Sequence, residues 1–305
     1  KEILDNKNKK IIVTSIEAMT SVYTPKEKYI NYNINIKSGD EVNLKDIANK
    51  LIECGYERVE VVEGKGEFSF RGGILDVFPP IAIYPYRIEL FGDEVDSIRT
   101  FNIESQRSIE KVEVVEIFPA KEVIVDEESK KRANECIIDE LNNVIEKSSN
   151  KNSEQIQKLS RIVNKNVEML NEIYTFETID SYLAFFYERV ESFFDYFKGY
   201  TFIIDDLKRC EGKLESIYYE FNENYLAFLQ RGDILPSQNK LLINKEELLV
   251  NLEKSDVITL NPFEKHSGIL YSTKTVEFKQ ITSNSYNGQL DLLIEDINLR
   301  KKNGY

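Results

Sequence analysis

GEFSFRGGILDVFPP, residues 66–80, reads as two short strands, 66–71 and 74–78, meeting at Gly72 and Gly73 and stopped by Pro79 and Pro80. Apolar and polar residues alternate along the first, which is the period of a strand with one packed and one open face, and the second is a short, mostly apolar run. The glycine pair gives the chain a bend or bulge where backbone freedom matters more than a side chain.

Reading outward, the same period recurs at 58–62, 85–91, 95–101 and 111–117, with Gly, Pro and Asp between the runs. Upstream, Leu44, Ile47, Ala48, Leu51 and Ile52 recur at helical spacing, with Asn43 as N-cap, Asp46 near the positive helix end, and Gly55 for the left-handed C-terminal position. Residues 44–54 are therefore expected as one helix, and a single helix over a mainly antiparallel sheet is the natural way to bury both apolar faces.

The flanks have a different texture. IIVTS (11–15) reads as a buried strand, followed by the short amphipathic IEAMTSVY, and Ile34 and Ile36 share one face before a turn at Gly39-Asp40. After Pro119-Ala120, long helices are expected near 126–148, 154–172 and 178–197, the first two joined by the polar loop KSSNKNSEQ. A strand at 200–205, a helix to about Leu229, and strands at 257–260, 269–271 and 276–281 complete an α/β layer, with a last amphipathic helix near 288–301. The fold class is mixed α/β.

Composition narrows the function. The chain has 305 residues, enough for two or three compact units, and 41% hydrophobic residues, enough to build cores. No run approaches the ~20 apolar residues of a membrane span and the start lacks a signal peptide's apolar stretch, so the expected compartment is the cytoplasm. A formal charge of -13 argues against a chain whose main business is gripping phosphate backbones. Cys54, Cys136 and Cys210 are odd in number and far apart, which fits core thiols better than disulfides.

Catalytic and metal motifs fare poorly. Gly64-Lys65-Gly66 lacks the spacing and hydroxyl of a phosphate loop and reads as a turn. TFIIDD (201–206) has the shape of a magnesium-holding strand end, yet without a phosphate loop Asp206 reads as a helix N-cap. His266 is the sole histidine, which removes Cys/His metal sites and a histidine-based triad. No catalytic residue and no metal site is expected.

The strand faces say more. In PYRIELFG, Tyr86, Ile88 and Leu90 face one way and Arg87, Glu89 and Phe91 the other. In EFSFR, Phe68 and Phe70 oppose Ser69 and Arg71. If both apolar faces pack on the helix, Arg71, Arg87 and Phe91 emerge together, the composition of a protein-binding hot spot. The same pattern also suits a cross-strand Arg–Glu pair over ordinary sheet surface.

GEFSFRGGILDVFPP, followed by YPYRIELFGDEVDSIRTFNIESQRSI and IFPAKE, resembles the segment shared by UvrB and the transcription-repair coupling factors. IIVTSIEAM and GYERVEVVE fit as well, and FETIDSYLAFFYERVESFFDYF with FLQRGDILPSQNKLL resembles the coupling factors rather than UvrB. The resemblance implies a UvrB-like amino-terminal module: residues 1–33 as the end of a motor-like domain 1a, 34–120 as a UvrA-recruiting domain 2, 121–282 as domain 1b, and 283–305 as the start of the next domain. It implies UvrA as partner, with Arg71, Arg87 and Phe91 in contact; their neighbours Glu89, Asp93 and Glu94 are read as no more than a supporting rim, and Gly72 and Gly73 remain the structural bend read from the strands. RNA polymerase and DNA would be engaged by regions outside the chain, and ATP and magnesium by motor domains outside it, leaving a segment that is not itself an enzyme. A fragment of UvrB, the ATP-dependent damage-verifying protein, is the competing reading, and a module that only braces the motor is a third.

Overall fold

The structure, a computed structural model, describes residues 10–150, 153–261, 270, 273–278, 286 and 289–302. It divides into two compact units, Lys1–Ile269 and Leu270–Tyr305.

Helix α1 (Ile16–Thr20), strand β1 (Val22–Tyr23) and helix α2 (Lys26–Asn31) open the described part of the first unit. The run 11–15 is not the expected buried strand: Ile11 is 96% and Val13 92% exposed. Among the described residues no strand lies beside it to take up the backbone groups that a buried strand must pair.

Strand β2 (Ile34–Lys37) buries Ile34 and Ile36, and helix α3 (Leu44–Glu53) follows. The Asn43 side chain accepts hydrogen bonds from the amides of Lys45 and Asp46, satisfying first-turn donors that have no partner within the helix. Strands β3 (Glu57–Arg58), β4 (Glu67–Arg71), β5 (Ile74–Val77), β6 (Tyr86–Phe91), β7 (Glu94–Phe101) and β8 (Ser108–Val112) form a six-stranded sheet in chain order. Every pairing is antiparallel except β3 with β4. Strand β9 (Val114–Ile117) leaves this sheet and pairs antiparallel with β2. Leu51, Phe68, Leu75, Ile88, Ile98 and Ile117 are buried in one cluster, so α3 and the β2–β9 ladder pack on one face of the large sheet.

Two strands differ from their expected extent. The run 58–62 pairs only at Arg58 and through the Val59 amide, which donates to the Phe68 carbonyl at 2.9 Å, because the segment beyond crosses the other sheet face, where Ser69 Oγ donates to the Glu60 carbonyl at 2.8 Å. The expected strand 111–117 is divided at Glu113, its halves serving two different ladders.

The rest of the unit is helix-rich. Helix α4 (Glu127–Lys147) starts with a reciprocal cap between Asp126 and Ser129 and packs against α5 (Glu154–Ile173). Buried Ala133, Ile137, Leu159, Val163 and Leu170 line their contact. The expected helix 178–197 is broken into a 3-10 turn (Ile179–Tyr182), α6 (Leu183–Phe186), strand β10 (Glu191–Ser192), which pairs with β1, and α7 (Phe193–Tyr196). Phe185, Phe186, Tyr187, Phe193, Phe194 and Phe197 are all buried. One straight helix would spread those rings over about 200° of its circumference, wider than the stripe one surface helix buries, so the chain bends to deliver them to a core.

Strand β11 (Thr201–Asp205), α8 (Leu207–Gln230), α9 (Lys245–Glu253) and β12 (Asp256–Leu260) follow, with β11 and β12 parallel. Asp206 caps α8 by accepting from the Arg209 amide at 3.1 Å. Gly232 follows α8 at φ +68°, and a Cβ there would stand 2.3 Å from the Gln155 carbonyl oxygen at the start of α5. Gly232→Ala is therefore expected to lose more than about 1 kcal/mol of stability, read as a lowered thermal midpoint. An unchanged midpoint would contradict this packing of the α8 end against α5.

In the second unit, α10 (Leu290–Lys302) lies where a terminal helix is expected, and none of its residues is buried. Residues 276–278 form no strand, against expectation, while 279–281, Ile269, Tyr271 and His266 lie outside the described residues. Among the described residues no helix is long and apolar enough to cross a membrane. All three cysteines are free, and burial pushes the Cys54 thiol up to about 12.

Candidate functional site

The sheet has one face on α3 and one face turned away, and the register states what the second face carries. One row runs Ser69, Asp76, Arg87, Arg99, Lys111 across β4 to β8. The next runs Arg71, Ile74, Glu89, Ser97 across β4 to β7, and beyond it Phe91 stands opposite Glu94. The pairing skips Asp96 between Glu89–Ser97 and Leu90–Val95, so the bulge falls in β7 and β6 keeps its alternation. Arg71, Arg87 and Phe91 do share one face.

They do not share one environment. The first row lies under a cover: Val62, Phe78 and Phe101 form a small second core, with Val59, Ala82 and Ile103 packed against it. Here Arg87 is held on all sides. Its Nε and Nη2 donate to the two carboxylate oxygens of Asp76 at 2.7 and 2.8 Å, a two-pronged pair of the kind that planar guanidinium favours. Nη1 and Nη2 also reach the Gln106 carbonyl and Oε1 at 3.3 and 3.2 Å, and the guanidinium carbon lies 4.5 Å from the Phe101 ring centre. The Asp76 hydrogen bonds raise the guanidinium pKa further above its ordinary value. The Arg87 side chain is 18% exposed and that of Asp76 4%, so Arg87 is not the open cation that strand alternation alone suggests.

The second row is open. The Arg71 side chain is exposed and makes no ion pair or hydrogen bond with another described residue. Phe91 is 85% and Ile74 39% exposed. Glu89 is half-buried, accepting from Ser97 Oγ at 2.8 Å and lying 3.5 Å from an Arg99 nitrogen, which is the cross-strand pair the strand pattern also allowed. Asp93 and Glu94 are exposed at the tip.

Two tight turns set this end of the sheet. Gly72-Gly73 is a two-residue hairpin connection between the paired Arg71 and Ile74, with φ +59° at Gly72 and no positive φ at Gly73. That sign pattern is that of a type II′ turn, so the pair is a tight turn rather than a bulge. Gly73 serves a second need, since a Cβ there would lie 2.9 Å from the Leu90 carbonyl oxygen. Gly92-Asp93 turns β6 into β7 at the same end, braced where the Val42 amide donates to the Asp93 carbonyl at 2.8 Å. Asp76, Gln106 and Ile74 were not singled out from sequence; an acid at 76 within an otherwise apolar strand was the available signal for the first.

The other motifs resolve structurally. The Glu63 and Gly64 amides donate to the Glu67 carboxylate at 2.8 and 2.7 Å, so Gly64-Lys65-Gly66 closes a turn on its own chain. Among the described residues no group of three His, Cys, Asp or Glu is placed to hold a metal ion.

Residues 34–123 match the family described as the UvrB interaction domain. The chain is 32% identical over 303 residues, 99% of its length, to the transcription-repair-coupling factor of Bacillus subtilis (strain 168). It is 28% identical over 291 residues, 93% of its length, to that of Staphylococcus aureus (strain MRSA252). It spans about a quarter of the length of these curated relatives, 25% and 24%.

Proposed function

We propose, from the premise that this chain belongs to the transcription-repair-coupling factor family, that it is a docking module which recruits UvrA through the open end of its six-stranded sheet. The observation that carries the proposal is the coincidence of the UvrB interaction domain match at 34–123 with a sheet face presenting an exposed Phe91 beside an ion-pair-free Arg71. An aromatic and an arginine at the centre of an exposed patch are the residue types that dominate protein–protein binding energy.

On this reading the segment works by surface recognition and catalyses nothing itself. It delivers UvrA to sites where RNA polymerase has stalled at damaged DNA, in transcription-coupled nucleotide excision repair in the cytoplasm. Contacts with RNA polymerase and DNA, and the use of ATP and magnesium, are assigned to the remaining length of the full protein. The net charge of -13 supports a protein partner over a nucleic acid for this segment.

The test is a titration of immobilised chain with purified UvrA at several salt concentrations. The wild-type chain is expected to bind saturably. Arg71→Ala should bind about tenfold more weakly, mainly through slower association, and with a shallower salt dependence, because an exposed charge steers encounter. Absence of wild-type binding, or an Arg71→Ala chain indistinguishable from it at every salt concentration, would contradict the assignment.

A further inference from the structure

The reading of this surface as a UvrA site leaves open what the site asks of its partner. Across β4, β5 and β6 the register places Ile74 between Arg71 and Glu89. Phe91 lies two residues beyond Glu89 on the same strand face, diagonal to Ile74 and within the span over which an aromatic ring reaches a cross-strand neighbour. Gly73 accepts the Leu90 amide at 2.8 Å, which lays the β4–β5 turn along the end of β6. The neighbour of Phe91 on that side is thus a glycine turn with no side chain, and the space a Cβ at Gly72 would occupy has nothing within 4 Å.

An apolar isoleucine on the solvent face of a strand, next to a nearly fully exposed phenylalanine and a bare turn, leaves an open apolar surface beside exposed backbone. Arg71 stands at one side of it and the acidic tip, Asp93 and Glu94, at the other. We infer, resting on the UvrA reading, that Gly72, Ile74 and Phe91 together act as a notch that receives one apolar side chain of UvrA, flanked by a carboxylate that Arg71 engages. The inserted side chain gains apolar contact with Ile74 and Phe91 without displacing protein, and the two charge signs at the rim fix its direction. Ile74 is then a binding residue in its own right, and Gly72 serves the interface as well as the turn.

Charge and apolar contacts separate kinetically. Rim charges act on association and its salt dependence, whereas a buried apolar anchor acts on dissociation. The experiment is surface-immobilised full chain with UvrA, comparing wild type, Ile74→Ala, Ile74→Thr and Gly72→Asn, with Ile83→Ala at the opposite end of the sheet as control. Ile74→Thr keeps the β-branched shape that strands favour. Asparagine is among the side chains least strained at the positive φ of Gly72 and places atoms in the notch, and the variant's thermal midpoint is measured alongside so that a loosened turn is told apart from a blocked site. All three variants are expected to dissociate about tenfold faster, with association rate and salt slope near wild type, while Ile83→Ala behaves as wild type. Wild-type dissociation rates in Ile74→Thr or Gly72→Asn, with the wild-type chain binding UvrA, would overturn the notch and leave the UvrA assignment standing. Failure of the wild-type chain to bind would overturn both.

Discussion

Arg87→Ala is expected to lower the stability of the sheet by about 3–5 kcal/mol, because it strands the Asp76 carboxylate without its partner under the Phe101 cover. The charge cannot be rehydrated cheaply there, since the Asp76 side chain is 4% exposed. The same change removes the guanidinium from the Phe101 face and leaves the Gln106 carbonyl and Oε1 without a donor. Gln106 itself sits at φ +57° and donates through its side-chain nitrogen to the Ile103 carbonyl at 2.9 Å, so the loss spreads into the turn that covers this end. Urea denaturation followed by hydrogen exchange at Leu75 and Ile88 reads the effect. A companion variant, Asp76→Leu with Arg87→Met, should retain most of the stability lost in the single change, because replacing a buried pair by apolar groups is close to neutral. An Arg87→Ala chain as stable as wild type would show the pair to be dispensable. The consequence for function is direct: loss of UvrA capture in Arg87→Ala reports a damaged scaffold and does not by itself place Arg87 in the contact.

Phe91→Ala should behave in the opposite manner, leaving stability within about 0.5 kcal/mol of wild type while weakening UvrA binding at least about 30-fold. The ring is 85% exposed in the free chain, so folding gains little from it, and its removal opens no cavity. Binding would gain the area that folding leaves in water. Thermal melts paired with UvrA titration separate the two quantities. A large drop in melting temperature, or unchanged affinity, would remove Phe91 from the role assigned to it.

Much of the sheet was readable from alternation because each strand buries one face. Phe68, Leu75, Ile88 and Ile98 all fall on the face that α3 covers, and the Asn43 cap and Gly55 bracket that helix as composition suggests. What alternation cannot supply is whether the other face is covered. Arg71 and Arg87 have the same parity, yet one end of that face lies under Val62, Phe78 and Phe101 while the other is bare, and this depends on loops whose path has no period. The Asp76–Arg87 pair joins strands separated by the connection 78–85, so it required the register. The break at Glu113 and the bending of 178–197 are tertiary choices as well: one strand serves two ladders, and an aromatic run whose rings would cover more than one helix face is folded up instead of staying one helix.

The central claim concerns place as well as partner, so hydrogen exchange of the chain with and without saturating UvrA tests it most directly. Amides at the two turns and their flanks, 71–74 and 90–94, should exchange more slowly in the complex, while the loop 79–85 at the other end of the sheet is unchanged. Protection confined to 79–85 or to the helices beyond residue 127, with 71–74 and 90–94 exchanging as in the free chain, would contradict it.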